Sequence, residues 1–244
     1  PVREAKALQL TREHLYQPFD LAHGPLFRPW LLRLSETEHI LVLTMHHIIT
    51  DGWSMGVFEQ EIVALYTAFH DGQPSPLPEL PMQYGSFAQW QRTRLQDGAL
   101  ERQLGYWREQ LNGIPAELPL PTDRPRPVIQ NYRGARQSLV LSTNLTASLH
   151  ALSRQTGATM VMILLAAYQV LIHRYAGLDD IVVGIPISGR DYPEFERLIG
   201  FFVNTLALRA DLSGEPTVQE VLGRVREAAL EGYDHQDVPF EKLV

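Results

Sequence analysis

Cysteine is missing from this 244-residue chain, which rules out disulfides, thiolate metal sites and a cysteine nucleophile. The absence is compatible with a cytoplasmic location. Long apolar runs are missing too. Stretches such as MVMILLAAY (Met160–Tyr168) fall far short of the ~20 residues that a bilayer-spanning helix needs, so no membrane role is expected. There is no extended block of Lys or Arg either, and 21 basic residues against 28 acidic ones leave a formal charge of −7. Phosphate recognition needs clustered positive charge, so a nucleic-acid partner is not expected. Residues 1–11 hold no apolar core of the kind a secretory leader carries.

What is present is enough apolar material for a substantial core: 45% hydrophobic residues against 20% charged. That suits one large domain or two small ones. The chain opens on Pro and stops at Pro239–Val244, just where an apolar pattern begins. The expectation is therefore a piece of a longer protein.

LFRPWLLRL (Leu26–Leu34) and HILVLTMHH (His39–His47) flank the polar Ser35–Glu38 and read as a β-hairpin. Apolar residues on both faces of the second run predict a strand buried on both sides. After Gly52 the period becomes helical, with Phe58, Ile62, Leu65, Tyr66 and Phe69 marking a helix over about 53–70. A second helix is expected from Tyr84 to Leu111, carrying Trp90 and Trp107. NGIPAELPLPTDRPRP (Asn112–Pro127) has five prolines in sixteen residues, which favours an extended linker. Beyond it the pattern predicts a strand at Arg136–Leu141 and helices at about 143–156 and 159–175. Strands at Asp180–Ser188 and Phe201–Leu212 and a helix at Thr217–Tyr233 follow. Strands and helices on both sides of the linker predict a mixed α/β fold of two lobes, residues 1–122 and 123–244.

The stretch with chemistry in it is MHHIITDGWS (Met45–Ser54). Side chains alternate along a strand, so His46 and His47 cannot share a pocket while the strand persists. With no acidic ligand at helical spacing nearby, a metal site is not expected. An extended backbone would hold His47 and Asp51 ~13 Å apart, so a turn at Ile48–Thr50 has to bring them together. Gly52 is expected to supply the permissive backbone for it. One imidazole presented at such a turn suits a general base. The alternative is that both histidines are structural hydrogen-bonders and Asp51 is a helix N-cap.

MHHIITDGWS resembles the HHxxxDG signature of the condensation domains of nonribosomal peptide synthetases, in the superfamily of chloramphenicol acetyltransferase. YGSFAQW (Tyr84–Trp90), IGFFVNTLALR (Ile199–Arg209) and HQDVPFE (His235–Glu241) resemble further segments of that family, in the family's order. Ser86 departs from the pattern, standing where the family usually has Asp. The resemblance covers about the middle half of a full condensation domain.

It implies two acetyltransferase-like lobes, each a mixed sheet with packed helices, here incomplete at both ends. It implies amide formation: the amine of an aminoacyl thioester attacks an acyl or peptidyl thioester, both held on carrier-protein phosphopantetheine. Donor and acceptor peptidyl carrier proteins and an adjoining adenylation domain are the implied partners, with no cofactor bound by the domain itself. Carried over residue by residue, His47 is the active-site histidine and His46 its structural neighbour. Asp51 fixes the loop through an Arg, for which Arg190 in PISGR is the candidate. Gly52 is a candidate to turn a backbone N–H toward the oxyanion. Trp53, Ser54 and Asn204 are pocket candidates, while Tyr84, His235 and Asp237 are expected to be structural.

Rival readings are weighed against this, the epimerising and cyclising variants counted together as the second of three. One is a coenzyme A-dependent acyltransferase of the same superfamily, disfavoured by the IGFFVNT and HQDVPFE segments. Epimerising and cyclising variants depart from the motif at the residues after Asp51 and at His46, respectively. The third is a non-catalytic docking module, which tends to lose the histidine motif kept here. As an isolated piece the chain is expected to be poorly soluble, with an exposed sheet edge beside His39–His47, and it need not be active.

Overall fold

Caps in the sequence set most of the helix boundaries. Asp51, Ser142, Thr159 and Thr217 each sit in extended conformation and accept a backbone N–H two to three residues into the helix that follows, meeting one of the donors that every helix start leaves unpaired. Glycines 157 and 177, both at positive φ, close two of those helices, since only glycine takes that conformation without strain. In the computed structural model, residues 2–96, 98–115, 117–125, 127–129 and 134–243 are described. The order is α1 (Val2–Leu15), β1 (Phe27–Arg33), β2 (His39–Met45), a 3₁₀ turn (His47–Ile49), α2 (Gly52–His70), α3 (Tyr84–Arg94) and α4 (Ala99–Gln110). Then come α5 (Thr143–Thr156), α6 (Met160–Ala176), β3 (Asp180–Ile187), α7 (Pro193–Glu196), β4 (Asn204–Asp211), α8 (Val218–Asp234) and a 3₁₀ turn at Phe240–Lys242.

Residues 1–93 and 188–203 form one compact unit, and residues 94–187 and 204–244 form the other. In the first, β1 and β2 pair antiparallel from Phe27↔Met45 to Arg33↔His39. An aromatic core of Phe87, Phe195 and Phe202 with Leu198 forms between α3 and the segment 188–203, and Tyr84 and Trp90 pack against it. In the second unit, β3 and β4 pair antiparallel, and α6 and α8 bury their apolar faces against them. Trp107 from α4 joins that core, fully buried and donating its indole N–H to His235 O at 2.9 Å.

The structure departs from the sequence expectations in three places. The helix expected over 84–111 is two helices, and Gly98 at φ 78 stands at the N-cap of the second. No strand forms at 136–141: the segment finds no pairing neighbour among the described residues, and Leu139 and Val140 stay exposed. In β2 only Val42 and Thr44 are buried, because β1 is its one strand partner among the described residues. Leu118 and Leu120 of the proline-rich segment pack on the core of the second unit, and Ala116 and Arg126 within that segment lie outside the described residues.

No single helix among the described residues is long and apolar enough to cross a membrane. The α5–α6 pair passes that test only as a pair bent by 104°, and α6 buries six of its residues in the core.

Candidate active site

β2 ends at Met45, and the chain turns rather than extending. His46 (φ −74, ψ 137) caps the 3₁₀ turn, with Ile49 N–H donating to His46 O at 3.1 Å and Thr50 N–H to His47 O at 3.3 Å. Thr50 and Asp51 are extended, and α2 begins at Gly52. His47 stands exposed on this turn, its ring 5.3 Å from that of Phe201 and edge-on to it. His47 Nδ1 lies 2.7 Å from Thr50 O. A carbonyl only accepts, so Nδ1 carries the proton and, in the neutral ring, Nε2 keeps its lone pair.

Beneath the turn lies a buried polar network. Asp51 Oδ1 caps α2 through Ser54 N–H at 2.7 Å, and Oδ2 accepts Phe202 N–H at 3.0 Å. Arg190 Nη2 lies 3.3 Å from Asp51 Oδ1 and 2.7 Å from Ser54 Oγ, with both charged side chains essentially inaccessible. Its Nη1 donates to Phe195 O and, at 2.9 Å, to Leu198 O, and its guanidinium carbon sits 3.9 Å from the centre of the Phe202 ring. Burial by itself would push the Asp51 carboxyl up. The N–H groups of Ser54 and Phe202 together with Arg190 outweigh it, so Asp51 sits below the ordinary carboxylate range. Burial pulls the Arg190 guanidinium down against the opposing pull of Asp51.

The sequence taken as a whole decides the family: the condensation-domain model matches residues 2–244. The chain belongs to the condensation-domain family. One of the linear gramicidin synthase polypeptides of Brevibacillus parabrevis is 54% identical over 242 residues, 99% of this chain and 3% of that protein. Chondramide synthase cmdD of Chondromyces crocatus is 46% identical over 244 residues, all of this chain and 6% of that protein. Among solved structures, the X-domain from teicoplanin biosynthesis is 37% identical with a TM-score of 0.86, over 95% of this chain and 52% of that one. The first condensation domain of the CDA synthetase shares the fold, with a TM-score of 0.77 at 24% identity, over 98% of this chain and 53% of that one. The chain thus spans a small part of its curated relatives and about half of these solved chains.

The condensation-domain signature therefore accounts for a turn and its foundation. The structure brings His46, His47, Asp51, Gly52, Ser54 and Arg190 together in the first compact unit. Ser54 Oγ donates to Gly200 O at 2.8 Å and accepts from Arg190 and from Gly200 N–H. Its one proton is thus engaged by the protein. Trp53 donates its indole N–H to Glu196 O at 2.8 Å. With Gly52, Gly56, Val57 and Gln60 it lines an open cleft of about 610 Å³. Gly52 does not make the turn: its φ is not positive, and a Cβ there would meet open space. The 3₁₀ turn and extended Thr50 do the work that was expected of it. Among the described residues no group of three or more His, Asp or Glu side chains is placed to hold a metal.

Asn204 belongs to the second unit. Its Nδ2 donates to Gln236 O at 2.8 Å and Val238 O at 2.7 Å, and its Oδ1 accepts Phe240 N–H at 3.1 Å. The HQDVPFE segment is thus fastened to the start of β4. Asp237 in that segment accepts from Gln103 at 2.8 Å and pairs with Arg94 at 3.1 Å. Asn204→Ala removes these three hydrogen bonds to the loop and is expected to cost about 2 kcal/mol, read as a lower urea midpoint with unchanged slope.

Sequence reasoning passed over Gly189 and Gly200, although both stand in the quoted PISGR and IGFFVNT segments. At φ 63, Gly189 has room only for hydrogen, since a Cβ there would lie 2.1 Å from Phe202 O; one at Gly200 would lie 2.1 Å from the Tyr84 ring. Tyr84 in turn donates its hydroxyl to Phe201 O at 2.7 Å, and burial, then the Asp51 charge, raise that phenol above its ordinary range. Gly189→Ala adds left-handed strain to a backbone clash and is expected to destabilise by about 3 kcal/mol, measured by thermal melting beside Gly72→Ala. Gly72 has a similar φ of 68 with open space around it, so its Ala variant reports the strain alone.

Proposed function

We propose that this chain carries the histidine of a peptide-bond-forming site. An aminoacyl thioester's amine attacks an acyl or peptidyl thioester, both tethered to carrier proteins through phosphopantetheine. A nitrogen–carbon bond forms, the carbon–sulfur bond breaks, and the donor carrier leaves as a thiol. The observation that carries the reading is the His47 tautomer: with Nδ1–H committed to Thr50 O, Nε2 is free to accept a hydrogen from the attacking amine. An α-amino group with a pKa of ~8 is already partly neutral near pH 7, and a thioester is a good electrophile. Positioning therefore supplies much of the acceleration, and Nε2 takes the proton that the nitrogen must lose. α2 begins at Gly52, whose N–H, like those of any helix start, lacks an intrahelical partner, and on this reading it faces the oxyanion. Residues 1–122 and 123–244 then belong to the family's first and second lobes, and an adenylation domain of the parent chain supplies the aminoacyl group.

The full parent chain, given a loaded donor carrier and a loaded acceptor carrier, is expected to form the lengthened product, scored by intact mass. Absence of product would overturn the reading, and product from free coenzyme A thioesters alone would replace it with the coenzyme A-dependent one. A docking role has one observation in its favour: the 37% identity to the X-domain, which was also solved in complex with OxyB. Retention of both histidines and of the network under them favours chemistry.

A further inference from the structure

The segment 199–203 divides its aromatic rings between two jobs. Phe202 joins Phe195 and Leu198 in the buried core of the first unit. Phe201, half-buried, lays its ring against the His47 imidazole instead, at 5.3 Å and an interplanar angle of 81°. The backbone around it is tied down. Gly200 donates its N–H to Ser54 Oγ at 3.1 Å and accepts from that hydroxyl at 2.8 Å. Phe201 O takes the Tyr84 hydroxyl at 2.7 Å, and Phe202 N–H meets Asp51 Oδ2 at 3.0 Å. We infer that Phe201 is a specificity-determining residue: its ring is the wall against which the side chain of the amine-bearing substrate is sized. This rests on the amide-forming reading above and deepens it, since His47 fixes the nitrogen that reacts and Phe201 limits what that nitrogen carries.

Bond lengths put the side chain within reach of the ring. An amine nitrogen hydrogen-bonded to Nε2 stands about 3 Å from it, and its Cα lies about 1.5 Å further on. The acceptor's side chain therefore starts at about the distance that separates the two ring centres. The donor carbonyl meets the same nitrogen on its lone-pair side, at more than a covalent bond's length, so the acceptor's side chain is the nearer of the two. Phe201 offers only apolar surface, so what it reads is size and shape rather than charge. Four hydrogen bonds on three consecutive residues leave the ring little room to retreat, and a wall held in place discriminates by volume. One methylene in an apolar pocket is worth about 10- to 200-fold in rate.

Acceptor carriers charged chemically with alanyl- or tryptophanyl-phosphopantetheine test this, because no adenylation domain then chooses the amino acid. In the full parent chain the two acceptors compete for one donor, and intact mass gives the product ratio. Phe201→Ala is expected to shift that ratio at least about tenfold toward tryptophan, and Phe201→Trp to shift it toward alanine. A ring that only supports the fold would lower both products alike, so an unmoved ratio would overturn the assignment. Selectivity that changes with the donor's side chain while the acceptor ratio stays fixed would overturn it too. Phe201→Leu, the milder truncation, carries the same test where Phe201→Ala does not fold. Calorimetric titration of the parent chain with hydrolysis-stable amide analogues of the two aminoacyl-pantetheines gives a readout that needs no turnover. The affinity ratio is expected to move in the same direction in Phe201→Ala, and equal ratios in variant and wild type would overturn the inference. If the parent chain makes no amide at all, the functional reading fails, and the titration still decides the role of Phe201.

Discussion

Arg190→Met is expected to lower the melting temperature of the domain by about 6–20 °C. The figure follows from a loss of roughly 3–5 kcal/mol when one member of a buried ion pair is removed, at ~2–4 °C per kcal/mol for a chain of this size. Met keeps much of the volume and contact with Phe202, so the loss is electrostatic. Asp51 stays buried as an unpaired carboxylate, Ser54 Oγ loses a donor, and the carbonyls of Phe195 and Leu198 lose theirs. Removing both charges in Asp51→Ala/Arg190→Met is expected to cost less than the two single losses added together, because no uncompensated charge is left. The network also has a pH signature. The folded pKa of Asp51 is depressed, so its contribution to stability is fully present above its unfolded value of ~3.9 and is lost as the pH falls through the lower folded value. Urea midpoints taken between pH 5 and 2 should show that acid loss in the wild type and a shallower one in Asp51→Ala. A melting temperature for Arg190→Met within a degree of the wild type would show that the pair is dispensable.

His47→Ala is expected to slow amide formation about 10²-fold in single turnover, at unchanged stability. Proton transfer by a positioned side chain is typically worth 10²–10⁴-fold. The lower end applies because, in the proposed reaction, the amine is partly neutral and both reactants are tethered, so positioning survives the substitution. His47 is exposed on a turn, with its ring against the Phe201 edge and Nδ1 on Thr50 O, hence the small structural cost. His47→Gln, whose amide oxygen stands near the Nε2 position, should retain part of the rate. Equal rates for the wild type and His47→Ala would take the imidazole out of the mechanism.

Much of this was legible in the residues, for local reasons. The hairpin followed from two apolar runs flanking the polar Ser35–Glu38, α2 from its helical period, and the turn after His47 from the simple reach of an extended chain. The pairing of Asp51 with Arg190, 139 positions apart, came through family resemblance, since nothing local announces a partner at that distance. What stayed illegible depended on tertiary context. Arg136–Leu141 looks like a strand by composition but has no neighbour to pair with among the described residues. Gly52 looked like the hinge of the turn, while the glycines that the fold cannot replace are Gly189 and Gly200, where Phe202 O and the Tyr84 ring occupy the space. Asn204, a pocket candidate in the sequence, holds three backbone partners, all in the segment 236–240. The tautomer of His47 depends on which backbone atom its Nδ1 meets, and no spacing rule records that.

The Asp51 carboxylate waits a long time for its second amide. Phe202 lies 151 residues downstream, which at ~5–20 residues per second corresponds to about 8–30 s of ribosomal synthesis. For most of that interval the nascent chain holds the start of α2 without Arg190, Gly200 or Phe202 to close over it. The histidine-bearing turn is therefore among the last features of its own compact unit to set, although its histidines emerge early, and a chaperone that shields residues 45–55 during translation would find its target there.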